Sequence, residues 1–238
     1  MNPLRPAGPA PVFRIVSAAP RREFGDVLLL HPTSTPGFVR HVEARRARIR
    51  SDAPGLLPAE PKPLVLEIGC GHGHFLVRYA AAHPDRFCLG IDLLARRLER
   101  ATRKRESSQL GNVQFYRAEA REFLDCLPDP VRFAEVFLLF PDPWPKKRHH
   151  KHRIMNPVFL AALAQRMTAG GRLFFRTDHL EYFSAAREIV ETHAAWRLLR
   201  DAPWPFEEAT IFQKKAPSFQ SLIAEVTGAR LPGAAVPL

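Results

Sequence analysis

Residues 141–153 combine a carboxylate, an indole and an unbroken run of basic side chains directly after an apolar segment. The stretch reads P-D-P-W-P-K-K-R-H-H-K-H-R, and every residue from Lys146 to Arg153 is Lys, Arg or His. Such a loop repels itself unless solvent or an anion screens it, and a phosphate backbone is a suitable partner. We therefore expect a nucleic-acid site here, with phosphate contacts from Lys146, Lys147, Arg148, Lys151 and Arg153.

Trp144 and three histidines lie inside this loop. The indole either stacks on an exposed base, a contact worth about 1–3 kcal/mol, or packs beneath the loop and fixes its shape. His149, His150 and His152 have no acidic or Cys partners at ligand spacing, so we expect no metal site.

A glycine-rich turn follows an apolar strand and precedes a helix in L-V-L-E-I-G-C-G-H-G, residues 64–73. In doubly wound sheets such a turn lets a nucleotide-like ligand approach the backbone closely. Its spacing is not that of a phosphate-binding P-loop, nor the full dinucleotide pattern. The alternative is that the glycines serve only a tight strand-to-helix turn.

Acidic residues follow the later strands in the same way. Asp92 closes the second strand, where a carboxylate can accept both ribose hydroxyls of an adenosine, or can cap the next helix. Glu119 can meet an adenine edge or start a helix, and Asp178 can reach a base or sugar or cap a helix. Because parallel strands end at one edge of a sheet, we expect Asp142 and Asp178 to converge.

The elements that must position these residues alternate regularly. Apolar runs predict strands at 63–68, 86–91, 112–117, 133–140, 171–177, 196–200 and 219–226. Helical periodicity is seen near 73–82, 93–108, 154–168 and 179–192. The alternation predicts right-handed βαβ units, hence an α/β, Rossmann-like fold with a mostly parallel, seven-stranded sheet and helices on both faces.

Composition restricts the partners. The 238 residues include 35 Lys plus Arg against 24 Asp plus Glu, a net charge of +11, which favours nucleic acid or an anionic membrane surface. No apolar run approaches the roughly 20 residues that span a bilayer, so we expect no membrane association. Three separated cysteines without a C-x-x-C pair argue against disulfides or zinc and favour a cytoplasmic location.

Three regions are predicted along the chain. Residues 1–36 are rich in Pro and basic, which indicates a disordered arm. Residues 37–60 read as a basic helix and a linker, and the helix is either a basic docking helix or a solvated surface helix. Residues 61–238 form the domain that carries the candidate site.

Acids at successive strand ends around a glycine-rich turn resemble the class I S-adenosylmethionine-dependent methyltransferases. The loop P-D-P-W-x-K-x-R-H-x-K-x-R is similar to that of the tRNA (guanine-N7-)-methyltransferase family, in its bacterial single-chain form. From 61 to about 226 the chain follows the family's order, with L-E-I-G-C-G-H-G, G-I-D, the P-D-P-W loop, F-R-T-D-H and T-I-F-Q. The resemblance implies S-adenosylmethionine as cofactor, tRNA as partner with no obligatory protein partner, and methylation of guanine N7 in the variable loop.

The resemblance also implies roles for individual residues. Cofactor binding falls to Glu67, Gly69, Gly71, Asp92, Glu119 and Asp142. Asp142 is also the catalytic residue, between cofactor and base. Substrate binding falls to Lys146, Arg148, Asp178, Thr210 and Gln213. The chain departs from the family in having Glu119 where Asp is usual, and T-I-F-Q at 210–213 where T-K-F-E is usual.

The chemistry of guanine N7 suggests how Asp142 acts. N7 carries a lone pair and no proton, so we expect placement of the base, rather than a general base, to provide most of the catalysis. The Asp142 carboxylate would stabilise positive charge that develops on the ring, and would accept hydrogen bonds from N1–H and the exocyclic amine. Two alternatives are another S-adenosylmethionine-dependent RNA methyltransferase and a non-catalytic RNA-binding protein that keeps the fold.

Overall fold

A computed structural model describes residues 35–208, 213–214 and 216–227. Its strands are β1 (Leu64–Ile68), β2 (Phe87–Asp92), β3 (Val113–Arg117), β4 (Phe133–Leu139), β5 (Met167–Thr177), β6 (Trp196–Leu199) and β7 (Gln220–Val226). Its α-helices are α1 (Pro36–Asp52), α2 (His74–Ala82), α3 (Ala95–Ser107), α4 (Ala120–Cys126), α5 (Pro157–Ala164) and α6 (Leu180–Thr192). Short 3-10 helices span Ala53–Leu56 and Lys147–His152.

The strands form one sheet in the order β3-β2-β1-β4-β5-β7-β6. β7 runs antiparallel to both of its neighbours, while the pairs among β1 to β5 are parallel. Successive residues of β1 and β4 face opposite sides: Leu66 and Leu138 belong to one buried cluster, and Val65 and Phe137 to the other. The predicted seven-stranded, mostly parallel α/β sheet is confirmed.

Two predicted boundaries differ from the structure. The helix predicted over 154–168 is shorter: α5 starts after Asn156, whose side chain caps the helix by accepting from the Phe159 N–H. It ends at Ala164, and Met167 already pairs with β4 across a register irregularity. For α4 the sequence offered only Glu119 as a possible helix start, because seven residues are too few to show helical periodicity.

Helix α1 docks on the domain, which decides between the two interpretations of this basic segment. Val42 and Ile49 are buried, and Arg45 donates two hydrogen bonds, of 2.9 and 2.6 Å, to the Glu122 carboxylate of α4. The predicted arm lies almost wholly outside the described residues. Within the described part of the chain, no helix combines the length and the apolar character that crossing a bilayer requires.

Candidate active site

The register of the sheet brings the predicted site residues to one edge. Ile68 lies beside Ile91 and Leu138, and Leu139 lies beside Arg176, so the carboxyl ends of β1, β2, β4 and β5 are level. The segments that leave this edge are the glycine-rich turn, Asp92, Glu119, the loop 141–153 and Asp178. The predicted convergence of acids is therefore present.

The glycines of the turn serve two different purposes. Gly69, Gly71 and Gly73 all have positive φ angles, of 75°, 55° and 67°, a region that favours glycine. A Cβ built on Gly69 or Gly71 would meet nothing within 4 Å, whereas one on Gly73 would come within 2.7 Å of Ala101. The first two glycines thus leave an open surface for a ligand, and the third permits close packing of α3.

Asp92 is buried and holds the turn in place. Its Oδ2 accepts from the Gly71 N–H at 3.0 Å, and its Oδ1 accepts from the Leu94 N–H at 2.8 Å. Arg97 approaches the same carboxylate at 3.6 Å. An ionised carboxylate offers about four lone-pair positions, so the two backbone contacts leave room for ribose hydroxyls. The structural and ligand-binding interpretations are compatible.

Glu67 is an isolated buried acid near the end of β1. Its side chain is 4% exposed, and Oε2 has no hydrogen-bond partner among the described residues. Burial, and then the negative charge of Asp92, raise the pKa of Glu67 well above its ordinary value. A buried acceptor without a partner is costly, and a hydrogen-bond donor on a ligand would remove that cost.

Glu119 follows β3 and Asp178 follows β5 at the same edge of the sheet. Glu119 is the N-cap of α4, because its Oε2 accepts from the Glu122 N–H at 2.9 Å; burial raises its pKa. Asp178 does not cap α6, since that role belongs to His179. Asp178 is exposed and makes no hydrogen bond or ion pair to the described parts of the chain, so it remains open to a ligand.

The loop 141–153 is shaped by its own side chains. Asp142 is exposed, and its Oδ1 accepts from the Trp144 N–H at 3.1 Å. Trp144 has a positive φ of 44°, and its half-buried ring lies against His152, with centroids 5.0 Å apart. This contact supports a role for the indole in fixing the loop. The described residues contain no cluster of His, Cys, Asp or Glu suited to a metal ion.

The basic residues of the loop divide into two kinds. Four of them are exposed, namely Lys146, Lys147, Arg148 and Lys151. The prediction that Arg153 contacts phosphate was wrong, because this side chain is buried. It donates to the Pro143 carbonyl at 2.8 Å and to Glu181 at 3.2 Å, and its guanidinium lies 4.9 Å from the centre of the Tyr182 ring. Arg153 therefore ties the loop to α6.

A second buried arginine, which the sequence did not single out, holds the segment that carries Glu207 and Gln213. Arg176 of β5 donates two hydrogen bonds to Glu207, of 3.0 and 2.7 Å, and lies 3.9 Å from the Trp204 ring centre. It also donates to Oε1 of Gln213 at 3.4 Å. The predicted substrate residue Gln213 is thus attached to the sheet, while Thr210 lies outside the described residues.

Comparison with known proteins agrees with this geometry. A family model described as "Putative methyltransferase" matches residues 61–222. A tRNA (guanine-N(7)-)-methyltransferase from Thermosynechococcus vestitus is 31% identical over 176 residues, which cover 70% of this chain and 83% of that protein. The chain belongs to the tRNA (guanine-N7-)-methyltransferase family. A member from Thermus thermophilus is 39% identical over 136 residues, covering 57% of this chain and 44% of that protein.

The matches also show how much of its length and fold this chain shares with its relatives. The chain spans about half the length of the first curated relatives that it matches. Among solved structures, the aminoglycoside resistance methyltransferase NpmB1 has a TM-score of 0.51 at 17% identity, covering 74% of this chain and 93% of that chain. This likeness confirms the class I methyltransferase fold.

The site fits S-adenosylmethionine, which this fold and the tRNA (guanine-N7-)-methyltransferase family use. The open surface at Gly69 and Gly71 lets a ligand approach the backbone. Asp92 retains acceptor capacity for ribose hydroxyls, and Glu67 offers a buried, unpartnered oxygen to a cationic or donor group. The site thus offers carboxylate acceptors, which the hydroxyl groups of an adenosine and an ammonium group need.

Proposed function

We propose that this chain methylates N7 of a guanine in the variable loop of tRNA, with S-adenosylmethionine as donor, in the cytoplasm. The observation that carries the proposal is the position of the loop 141–153. It presents one exposed carboxylate and four exposed cations at the sheet edge that also holds Glu67 and Asp92. The names of the similar family members support the same reaction and substrate.

Asp142 is the proposed catalytic residue. When bound, the cofactor supplies an electrophilic methyl group. Guanine N7 has a lone pair and no proton, so no side chain needs to act as a base. Oδ1 of Asp142 is occupied by the Trp144 N–H, which fixes the carboxylate, while Oδ2 has no partner among the described residues. A fixed carboxylate beside the base stabilises positive charge on the ring and accepts from guanine N1–H.

The remaining predicted residues surround this carboxylate. Lys146 and Arg148 are exposed on the same loop and are proposed to bind phosphate. Asp178 leaves the neighbouring strand and is proposed to bind the base or a sugar hydroxyl. Thr210 and Gln213 are proposed to contact the tRNA on the other side of the base. Gly69, Gly71 and Glu119 complete the proposed cofactor site.

The test is a two-step assay on the full chain. Calorimetry measures binding of S-adenosylmethionine, and labelled cofactor is then incubated with an unmodified tRNA transcript. We expect the label at a single variable-loop guanine, at N7. A label on another base, or on ribosomal RNA alone, would replace the proposal by a different RNA methyltransferase. An absence of cofactor binding would favour a non-catalytic RNA-binding protein.

A matched transcript isolates the reacting atom. Replacing the target guanine with 7-deazaguanine exchanges N7 for a carbon and leaves N1–H and the exocyclic amine in place. We expect this transcript to bind with similar affinity and to accept no label. Labelling at an unchanged rate would exclude N7 as the acceptor.

A further inference from the structure

A row of cations on α3 faces the glycine-rich turn. Arg97, Arg100 and Lys104 are spaced three and four residues apart, so they share one side of the helix. Lys104 donates to the His72 carbonyl at 2.8 Å, which brings this side of α3 against the turn. Arg97 contacts Asp92, and Arg100 is exposed.

These cations are close enough to act on the histidines of the turn. The pKa of His72 is lowered by burial and then by Arg100 and Lys104. The pKa of His74 is lowered by burial and then by cations that include Lys104 and Lys214.

Asp92 and Glu208, the acidic groups that act on the two histidines, are fewer than the cations of this row. Asp92 is already paired with Arg97 and with two backbone N–H groups. Among the described residues, Arg100 and Lys214 take part in no ion pair, and Lys104 bonds only to a carbonyl. The pKa of Lys104 is lowered by burial and by the charge of Arg100. Clustered cations of this kind attract an anion.

The cofactor does not explain the cluster, since S-adenosylmethionine has one carboxylate and no phosphate. The position of the cluster indicates another anion. The loop 141–153 follows β4, on one side of β1, whereas α3 follows β2, on the other side. The proposed cofactor site lies between these two cationic surfaces. An RNA strand that places a base beside Asp142 has backbone on both sides of that base.

We propose that Arg100 and Lys104 bind tRNA phosphates on the side of the cofactor site opposite the loop 141–153. The proposal rests on the proposed function, because the RNA is taken to be the substrate of that site. The two surfaces would grip the strand on either side of the target guanine. Each phosphate contact releases counterions, which makes its contribution measurable through salt.

The experiment measures tRNA affinity of the full chain against salt concentration for Arg100→Gln and Lys104→Gln. We expect each variant to reduce the magnitude of the slope of log K against log salt by about 0.7–0.9. The matched control is Arg103→Gln, on the same helix. Arg103 is exposed and is absent from the groups that act on His72 and His74. We expect its slope to match that of the unmodified protein.

The outcomes separate this inference from the proposed function. The inference is overturned if all three variants keep the slope of the unmodified protein. It is also overturned if all three reduce the magnitude of the slope equally. Cofactor binding of Arg100→Gln should be unchanged, and a loss of it would also count against a phosphate role. If the label maps to another base while the slopes differ as expected, the proposed function falls and the phosphate surface stands.

Discussion

The two halves of the site bury side chains of opposite type. On the proposed cofactor side they are the acids Glu67 and Asp92, whereas on the proposed substrate side they are the arginines Arg153 and Arg176. Glu67 has an oxygen without a hydrogen-bond partner among the described residues, and Asp92 holds the glycine-rich turn. The arginines contact carboxylates and aromatic rings that hold the surrounding loops. The protein therefore buries candidate ligand-binding groups on one side and loop-positioning groups on the other.

The difference fits the two proposed ligands. A small cofactor can fill a pocket and satisfy buried acceptors, whereas a large RNA contacts an open surface whose reactive groups stay in solvent. Asp142 and Asp178 are both exposed. Exposed loops lose conformational entropy on binding unless they are ordered beforehand. Arg153 and Arg176 supply that order, because each guanidinium is fixed by a carboxylate and an aromatic face.

The largest effect is expected for Asp142→Asn. Asparagine can keep the hydrogen bond from the Trp144 N–H, so the loop shape is retained while the charge is removed. Loss of a fixed electrostatic group typically costs about 100- to 1,000-fold in kcat. We expect a decrease of that size in single-turnover methyl transfer, with unchanged cofactor affinity. An equal weakening of cofactor binding would show that Asp142 binds the cofactor rather than acting on the base.

Asp92→Asn tests the cofactor side and should have the second largest effect. The amide replaces one acceptor oxygen by a donor and removes the charge that Gly71 and Leu94 share. Hydrogen bonds to charged groups contribute about 1.5–3 kcal/mol, so calorimetry should show S-adenosylmethionine binding about 10- to 150-fold more weakly. Asp178→Asn is the control and should bind the cofactor normally. Equal affinity in both variants would contradict the assignment.

The two sides also differ in how far the sequence reveals them. Asp92 directly ends a strand, so topology alone brings it to the functional edge. The partners of the buried arginines are distant: Glu181 is 28 residues from Arg153, and Glu207 is 31 residues from Arg176. Because basic residues in a cationic run look alike in sequence, nothing local distinguishes the buried Arg153 from its exposed neighbours. Long-range pairing, rather than strand pattern, decided this part of the site.

Arg153→Gln should weaken the substrate side without affecting cofactor binding. Its partner Glu181 is 57% exposed, so the carboxylate stays hydrated after the change. The cost should therefore be that of lost charged hydrogen bonds, about 1–3 kcal/mol in the free energy of unfolding by urea. The KM for tRNA should also rise, because the loop loses its tie to α6. Unchanged KM at reduced stability would make Arg153 purely structural.

The control for this variant is Arg187→Gln. Arg187 forms a surface pair with Glu191, one helical turn away, at 3.8 Å. Such pairs contribute about 0.3–0.5 kcal/mol, so this variant should keep both stability and the KM for tRNA. A loss as large as that of Arg153→Gln would remove the distinction between buried and exposed arginines.

The last prediction concerns the protonation of Glu67. Its pKa is raised in the folded protein, by burial and then by Asp92, so between the unfolded and folded pKa values the folded state holds a proton that the unfolded chain has released. Stability from this group is complete below the unfolded pKa and falls as pH rises toward the folded one, by at most about 1.4 kcal/mol per pH unit. In Glu67→Gln this fall in stability with rising pH disappears, because glutamine does not titrate. Urea unfolding of the cofactor-free protein should therefore show the variant gaining stability over the unmodified chain as pH increases, and parallel pH profiles would show that Glu67 is charged throughout.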